Sequence, residues 1–245
     1  MNIFFRIADA AKVIFHTRKG ISFIMKNGAS IASTQVLHNC RHYIPELKTV
    51  LDVGANKGQF ALATAWQYPA AKIYAFEPVP GTFKTLQHNT RRVPAVQAFN
   101  YALGSDDGVI DFFSNAYSHA SSALQVSALQ RELVPRTADT FSIKVVVRQM
   151  DNVLKDIALT SPTLLKLDVQ GFEKEVLLGA MHSLQHIDYL LFETSFVAMY
   201  DGEPLFDEMH DYVKKLGFEF IAPVSFLQSG TLQILQMDLL YKRKS

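Results

Sequence analysis

The chain of 245 residues has a single cysteine, Cys40, and a single tryptophan. One cysteine excludes an internal disulfide and, with no Cys/His cluster around it, a zinc signature. It also points to a reducing compartment, so the protein is read as cytoplasmic. A charge excess is missing too: 24 Lys and Arg stand against 23 Asp and Glu, for a net charge of +1. That balance argues against nucleic acid as a partner, which usually calls for a basic face. No apolar run reaches the roughly 20 residues that a membrane-spanning helix needs. The longest late uncharged stretch, 220–237, is interrupted by Pro223, Gln228 and Gly230. Arg6, Asp9 and Lys12 interrupt the first apolar run and make it a poor signal peptide.

What is present is a chain that is 49% hydrophobic, enough for a sizeable core. Residues 1–25 place Ile3, Ile7, Ala10, Ala11 and Ile14 at helical spacing, with Arg6, Lys12, Arg18 and Lys19 among them. This predicts a helix packed on the main domain, with a cap over the active site or peripheral contact with a lipid surface as alternatives. From residue 49 short apolar runs alternate with helical periods. Strands are expected at 49–53, 72–76, 96–101, 163–168 and 189–193, and helices at 58–68, 80–91, from about 173, and at 204–216. Two closing strands, 218–221 and 232–241, join through Ser229 and Gly230. Such alternation implies right-handed crossovers and a parallel sheet. Segments 109–113 and 143–148 alternate like exposed or edge strands. The Ser- and Ala-rich stretch 114–140 between them reads as a lid or binding loop. The division expected is a helical extension, 1–45, followed by one domain, 46–245.

The first chemical signal is Leu51-Asp52-Val53-Gly54-Ala55-Asn56-Lys57-Gly58-Gln59-Phe60. A strand ends, a glycine turn lets a ligand approach the backbone, and a helix begins with N–H donors to spare. The dinucleotide fingerprint needs a further glycine where Asn56 stands, which weakens a nicotinamide-cofactor reading. The phosphate-loop Gly-Lys-Ser/Thr is absent. Glu77, in Ala75-Phe76-Glu77-Pro78, falls at the end of the next strand, where a carboxylate can accept from ribose hydroxyls.

The second signal is Lys166-Leu167-Asp168-Val169-Gln170-Gly171-Phe172-Glu173. Strand alternation puts Lys166 and Asp168 on one face. Charges inside a buried parallel strand are costly unless paired or functional, so the alternatives are a site or a structural ion pair with an Asp or Glu. Glu193 ends the following strand and should converge on Asp168. Two such carboxylates can produce a base near neutral pH or hold a divalent cation. A solvated Glu193 is the other reading. His119 is a reserve base, or a surface histidine without a role. No spacing of the remaining histidines suggests a metal site.

These motifs, with Asn100-Tyr101-Ala102-Leu103-Gly104 and Ser121-Ser122-Ala123-Leu124, resemble the FkbM-type S-adenosylmethionine-dependent methyltransferases over roughly 45–225. The resemblance implies an α/β, Rossmann-like class I methyltransferase fold: a seven-stranded, mostly parallel sheet with an antiparallel last strand. It implies S-adenosylmethionine as cofactor and O-methylation of a hydroxyl on a sugar, a glycan or a secondary metabolite. By the same resemblance Asp52, Gly54, Asn56, Gly58 and Phe60 wall the methionine end, in the loop that also holds Ala55 and Gln59. Glu77, followed by Pro78, holds the ribose, and the turn carrying Asn100 and Ala102 borders the adenine. Asp168 faces the cofactor. The catalytic set expected is then Asp168 or Glu193 as base, with Lys166 orienting a carboxylate and His119 in reserve. Rival readings are a nucleic-acid or protein methyltransferase and a non-catalytic S-adenosylmethionine-binding protein. Against base methylation, the turn after the fourth strand reads Asp168-Val169-Gln170-Gly171 and not Asp/Asn-Pro-Pro-aromatic.

Overall fold

The computed structural model describes residues 29–115, 121–137 and 139–244. In chain order the elements are α1 (Ile31–Cys40), β1 (Thr49–Val53), α2 (Gln59–Gln67), β2 (Lys72–Phe76), α3 (Pro80–Thr90), β3 (Val96–Phe99), β4 (Ala102–Gly104), β5 (Gly108–Asn115), α4 (Ala128–Leu133), β6 (Thr140–Gln149), α5 (Met150–Val153), β7 (Thr163–Leu167), α6 (Glu173–Leu178), β8 (Tyr189–Ser195), α7 (Phe206–Lys215), β9 (Phe218–Gln228) and β10 (Ile234–Arg243). Seven strands form one sheet in the order β3-β2-β1-β7-β8-β10-β9. Only β10 runs against the rest, antiparallel to both β8 and β9. The α/β fold and the reversed last strand are as expected.

Every residue of β1 and β7 is buried, which is why both read as nearly unbroken apolar runs. One face of the sheet, with Val50, Ile73, Leu164 and Leu191, packs beneath Leu37 and Cys40 of α1 and Leu62 of α2. The other, with Leu51, Leu165, Leu190 and Phe192, packs beneath Val176 of α6 and Met209 and Val213 of α7. α7 has Asp207 and Glu208 in its first turn and Lys214 and Lys215 in its last, matching the helix dipole. Gly217, at φ 89°, ends it in the left-handed conformation typical of helix stops.

Strand order reverses at β1, which pairs with β2 on one side and β7 on the other. A crevice opens at such a switch point, beyond the carboxyl ends of the strands.

Segments 109–113 and 143–148 do not edge this sheet. They lie in β5 and β6, which pair antiparallel in a second sheet of order β4-β6-β5. Periodicity shows that a strand has one apolar side but does not name its partner, so this pairing was not readable. Within 114–140, the described residues are less loop-like than expected. Ser127 caps α4 by accepting from the Gln130 N–H, and bridges tie Ser122 to Phe113 and Val126 to Tyr200.

Candidate active site

The crevice opens to solvent. Its floor is Val53, Gly54 and Asn56 from the turn after β1, with Phe76, Glu77 and Pro78 from the end of β2. One wall is Asp168, Val169, Gln170 and Phe172 after β7. The other is apolar, with Ala102 and Leu103 of β4, Ile110 and Phe112 of β5, and Ala123.

The turn after β1 is held tightly. The Gly54 and Ala55 N–H groups donate to the Phe76 carbonyl at 3.1 and 2.9 Å. Gly54 has φ 77° and Asn56 φ 50°, both left-handed. A Cβ on Gly54 would stand 1.9 Å from the Asp168 carbonyl oxygen, so backbone meets backbone there. Glu77 Oε2 accepts from the Asn56 N–H at 3.0 Å, and Oε1 from the Val79 N–H at 2.9 Å. A carboxylate has about four acceptor positions, so two remain for a diol. Burial raises the Glu77 carboxyl to about 7, opposed by those two backbone donors. Asn100 Nδ2 donates to the Glu77 and Pro78 carbonyls, at 2.9 and 3.0 Å, and so fixes the strand end rather than the cleft surface.

Asp52 is wholly buried and does not wall the cleft. Its register partner on β7 is Lys166, and Lys166 Nζ lies 3.0 Å from Asp52 Oδ1 and 3.4 Å from Asp168 Oδ2. Nζ also donates to the Gly54 carbonyl at 3.3 Å and lies 5.3 Å from the Phe60 ring centroid. Burial alone would depress the Lys166 ammonium, but the charges of Asp52 and Asp168 outweigh it and raise it. Burial raises the Asp52 carboxyl, against the pull of Lys166 and of the Ala61 N–H in the first turn of α2. Ala55 and Phe60 are buried in the core, a Cβ on Gly58 would press on Leu86, and Gln59 Oε1 accepts from the Lys57 N–H at 3.2 Å. Of the loop and strand-end residues expected at the cofactor, Gly54, Asn56, Glu77, Pro78, Ala102 and Asp168 line the crevice. Asp52, Ala55, Gly58, Gln59, Phe60 and Asn100 stand behind it.

Asp168 and Glu193 do converge. Gln170 Nε2 donates to Asp168 Oδ1 at 2.6 Å and to Glu193 Oε2 at 3.0 Å. Gln236 Nε2 reaches the same Glu193 oxygen at 2.9 Å. Asp238 of β10 is the register partner of Glu193. Burial, then the charges of Asp168, Asp238 and Glu173, push the Glu193 carboxyl well above the usual range. Burial and Asp168 take Asp238 to about 6. His119 lies outside the described residues. Among the described residues no group of three or more His, Cys, Asp or Glu side chains is placed to hold a metal ion. Ile110, Phe112, Gln170 and Gln236 were not singled out from sequence. The 109–113 alternation flagged the first two, but nothing local marks the others.

Glu173 is a buried acid that holds the backbone in shape. Its Oε1 accepts from the Val169 N–H at 3.0 Å and closes the turn after β7. Burial raises it to about 8, well above its value in an unfolded chain. A folded-state pKa raised in this way adds stability below the unfolded value, near 4.3, that is lost as pH rises through about 8. Glu173→Gln keeps the acceptor without the charge. It is expected to be near neutral at pH 5 and to stabilise by about 1–3 kcal/mol at pH 9, read by denaturant unfolding at both.

Comparison with known proteins places these residues in a wider set. The family model described as the methyltransferase FkbM domain matches residues 52–220. Methyltransferase 1 of Beauveria bassiana is 32% identical over an alignment of 147 residues that covers 55% of this chain and 59% of the relative. Hexuronic acid methyltransferase AglP of Haloferax volcanii is 32% identical over 143 residues, 58% of this chain and 54% of the relative. The 31-O-demethyl-FK506 methyltransferase FkbM of Streptomyces tacrolimicus is 25% identical over 206 residues, 74% and 76%. The match thus spans little more than half the length of the first two relatives.

Proposed function

The chain belongs to the FkbM methyltransferase family, and from that premise we propose that it is an S-adenosylmethionine-dependent O-methyltransferase whose acceptor is a hydroxyl of a sugar, a glycan or a secondary metabolite. The observation that carries this is Glu77, buried at the end of β2 with both oxygens oriented by backbone donors, across the crevice from the apolar slot of Ile110 and Phe112. A carboxylate facing a flat apolar slot suits a nucleoside: diol on one side, base in the other. The names of the relatives, which include a hexuronic acid methyltransferase and an FK506-type methyltransferase, favour hydroxyl acceptors.

When bound, S-adenosylmethionine supplies an electrophilic methyl group on a sulfonium. The chain supplies orientation and proton removal. Gly54 lets the turn after β1 close on the Asp168 backbone, and Asp168 fronts the crevice with one oxygen tied to Lys166. Glu193 is the better base. Its contacts are two neutral amides, and the neighbouring carboxylates favour its taking up a proton from the acceptor hydroxyl. The N-terminal part, 1–45, we assign to a helical extension ahead of the methyltransferase domain. Within it α1 is a helix, while the cap and lipid-contact alternatives for 1–25 fall outside the described residues. No helix among the described residues is long and apolar enough to cross a membrane. The buried thiol of Cys40 supports a cytoplasmic placement.

The test is Glu193→Gln and Asp168→Asn, assayed for labelled methyl transfer to a panel of free sugars and alkyl glycosides, with cofactor affinity alongside. Glu193→Gln is expected to lose about 10²–10⁴ in turnover with its affinity for the cofactor retained. Full turnover in both variants would remove the carboxylate-base mechanism.

A further inference from the structure

Gln170 has φ 58°, a left-handed backbone that side-chain-bearing residues rarely adopt, and Gly171 after it has φ 93°. Strain of this kind persists only where surrounding structure over-determines it. Here it does. Ser122 Oγ donates to the Gln170 carbonyl at 2.7 Å, and the Tyr200 hydroxyl donates to Gln170 Oε1 at 2.6 Å. Gln130 Nε2 in turn lies 3.4 Å from that hydroxyl. With Oε1 committed to Tyr200, both hydrogens of Nε2 point at carboxylates, one at Asp168 and one at Glu193. The reversed amide would set Oε1 against two acceptors, so the orientation is fixed.

We propose that Gln170 is a positioning residue for methyl transfer: its amide joins Asp168 on the cofactor side to Glu193 on the acceptor side and decides which oxygen of Glu193 meets the acceptor hydroxyl. The inference rests on the methyltransferase reading above. Glu193 Oε2 is committed twice, to Gln170 and to Gln236. Oε1 is left to take the proton. The charged groups facing Glu193 are Asp168 after β7, Glu173 of α6 and Asp238 of β10, all acidic. The one cation nearby among the described residues, Lys166 of β7, is engaged with Asp52, Asp168 and the Gly54 carbonyl. The two amides are thus the contacts that favour the charged form of Glu193 against burial and three like charges. Removing the Gln170 amide drives the Glu193 titration to higher pH, and the pH dependence of turnover with it.

The test uses the full chain labelled with 13C at glutamate carboxyls and follows Glu193 against pH, with binding of S-adenosylhomocysteine measured by calorimetry. Gln170→Gly removes the side chain while suiting the left-handed backbone, so strain does not confuse the result. Gln170→Asn also tolerates that backbone but falls one methylene short of the pair. Both are expected to move the Glu193 titration upward. Tyr200→Phe, which frees the amide to rotate, is expected to move it less, and to add nothing on top of Gln170→Gly. An unmoved Glu193 titration in Gln170→Gly overturns the proposal. If that variant does not fold, an unmoved titration in Tyr200→Phe does the same. Failure of the unaltered protein to bind S-adenosylhomocysteine would instead overturn the methyltransferase reading, while the titration would still decide the clamp.

Discussion

Lys166→Met is expected to cost about 3–5 kcal/mol of stability, because it leaves a buried carboxylate without its cation. Asp52 has no exposed surface, sits next to the carboxyl end of the interior strand β1, and has Lys166 as its direct neighbour on β7. Without the ammonium 3.0 Å away, burial drives the Asp52 carboxyl further up. Its folded pKa, already above the unfolded one, rises further, so its stabilising share exists at low pH and fades as pH rises. The deficit of the variant should therefore grow between pH 5 and pH 8, as read by denaturant unfolding. Asp52→Asn combined with Lys166→Met should recover part of the loss, since removing both charges is far less costly than removing one. A loss below about 1 kcal/mol in the single variant, the range of an exposed pair, would mean that the pair does not organise the switch point.

Gly54→Ala is expected to abolish cofactor binding. The new Cβ would stand 1.9 Å from the Asp168 carbonyl oxygen and 2.8 Å from its carbon. Neither is a side chain that can swing away. Relief requires the ends of β1 and β7 to part, and φ 77° adds strain of about 1–2 kcal/mol for any residue with a Cβ. The Asp168 N–H bond to the Val53 carbonyl, 3.0 Å, lies across the same seam and would stretch with it. Calorimetry with S-adenosylhomocysteine should show no binding, and the melting temperature should fall. Retained affinity would show that the two strand ends have slack that the geometry denies.

Much of this was legible in the sequence because the informative residues are local. Thr49–Val53, Lys72–Phe76 and the segment around Asp168 announce buried strands by composition, and their carboxyl ends carry the acids. Lys166 and Asp168 were placed on one face by alternation alone. Asp52 as the shorter contact of that lysine was not, because the register that sets Asp52 beside Lys166 across β1 and β7 is fixed by the whole sheet, between segments far apart in sequence. The same limit hid Gln170. Its partners Ser122, Glu193 and Tyr200 lie 48, 23 and 30 positions away, and only tertiary packing brings them together. Alternation in 109–113 revealed a strand but not that it would form a second sheet whose inner residues, Ile110 and Phe112, face the crevice.

The measurement that bears most directly on the account is calorimetric titration of the full chain with S-adenosylmethionine and S-adenosylhomocysteine, beside Glu77→Ala. Both ligands are expected to bind in the micromolar range, with affinity weakened about tenfold or more in the variant, equivalent to about 1.4 kcal/mol or above. No binding of either ligand by the unaltered protein, or equal binding by Glu77→Ala, would contradict the account.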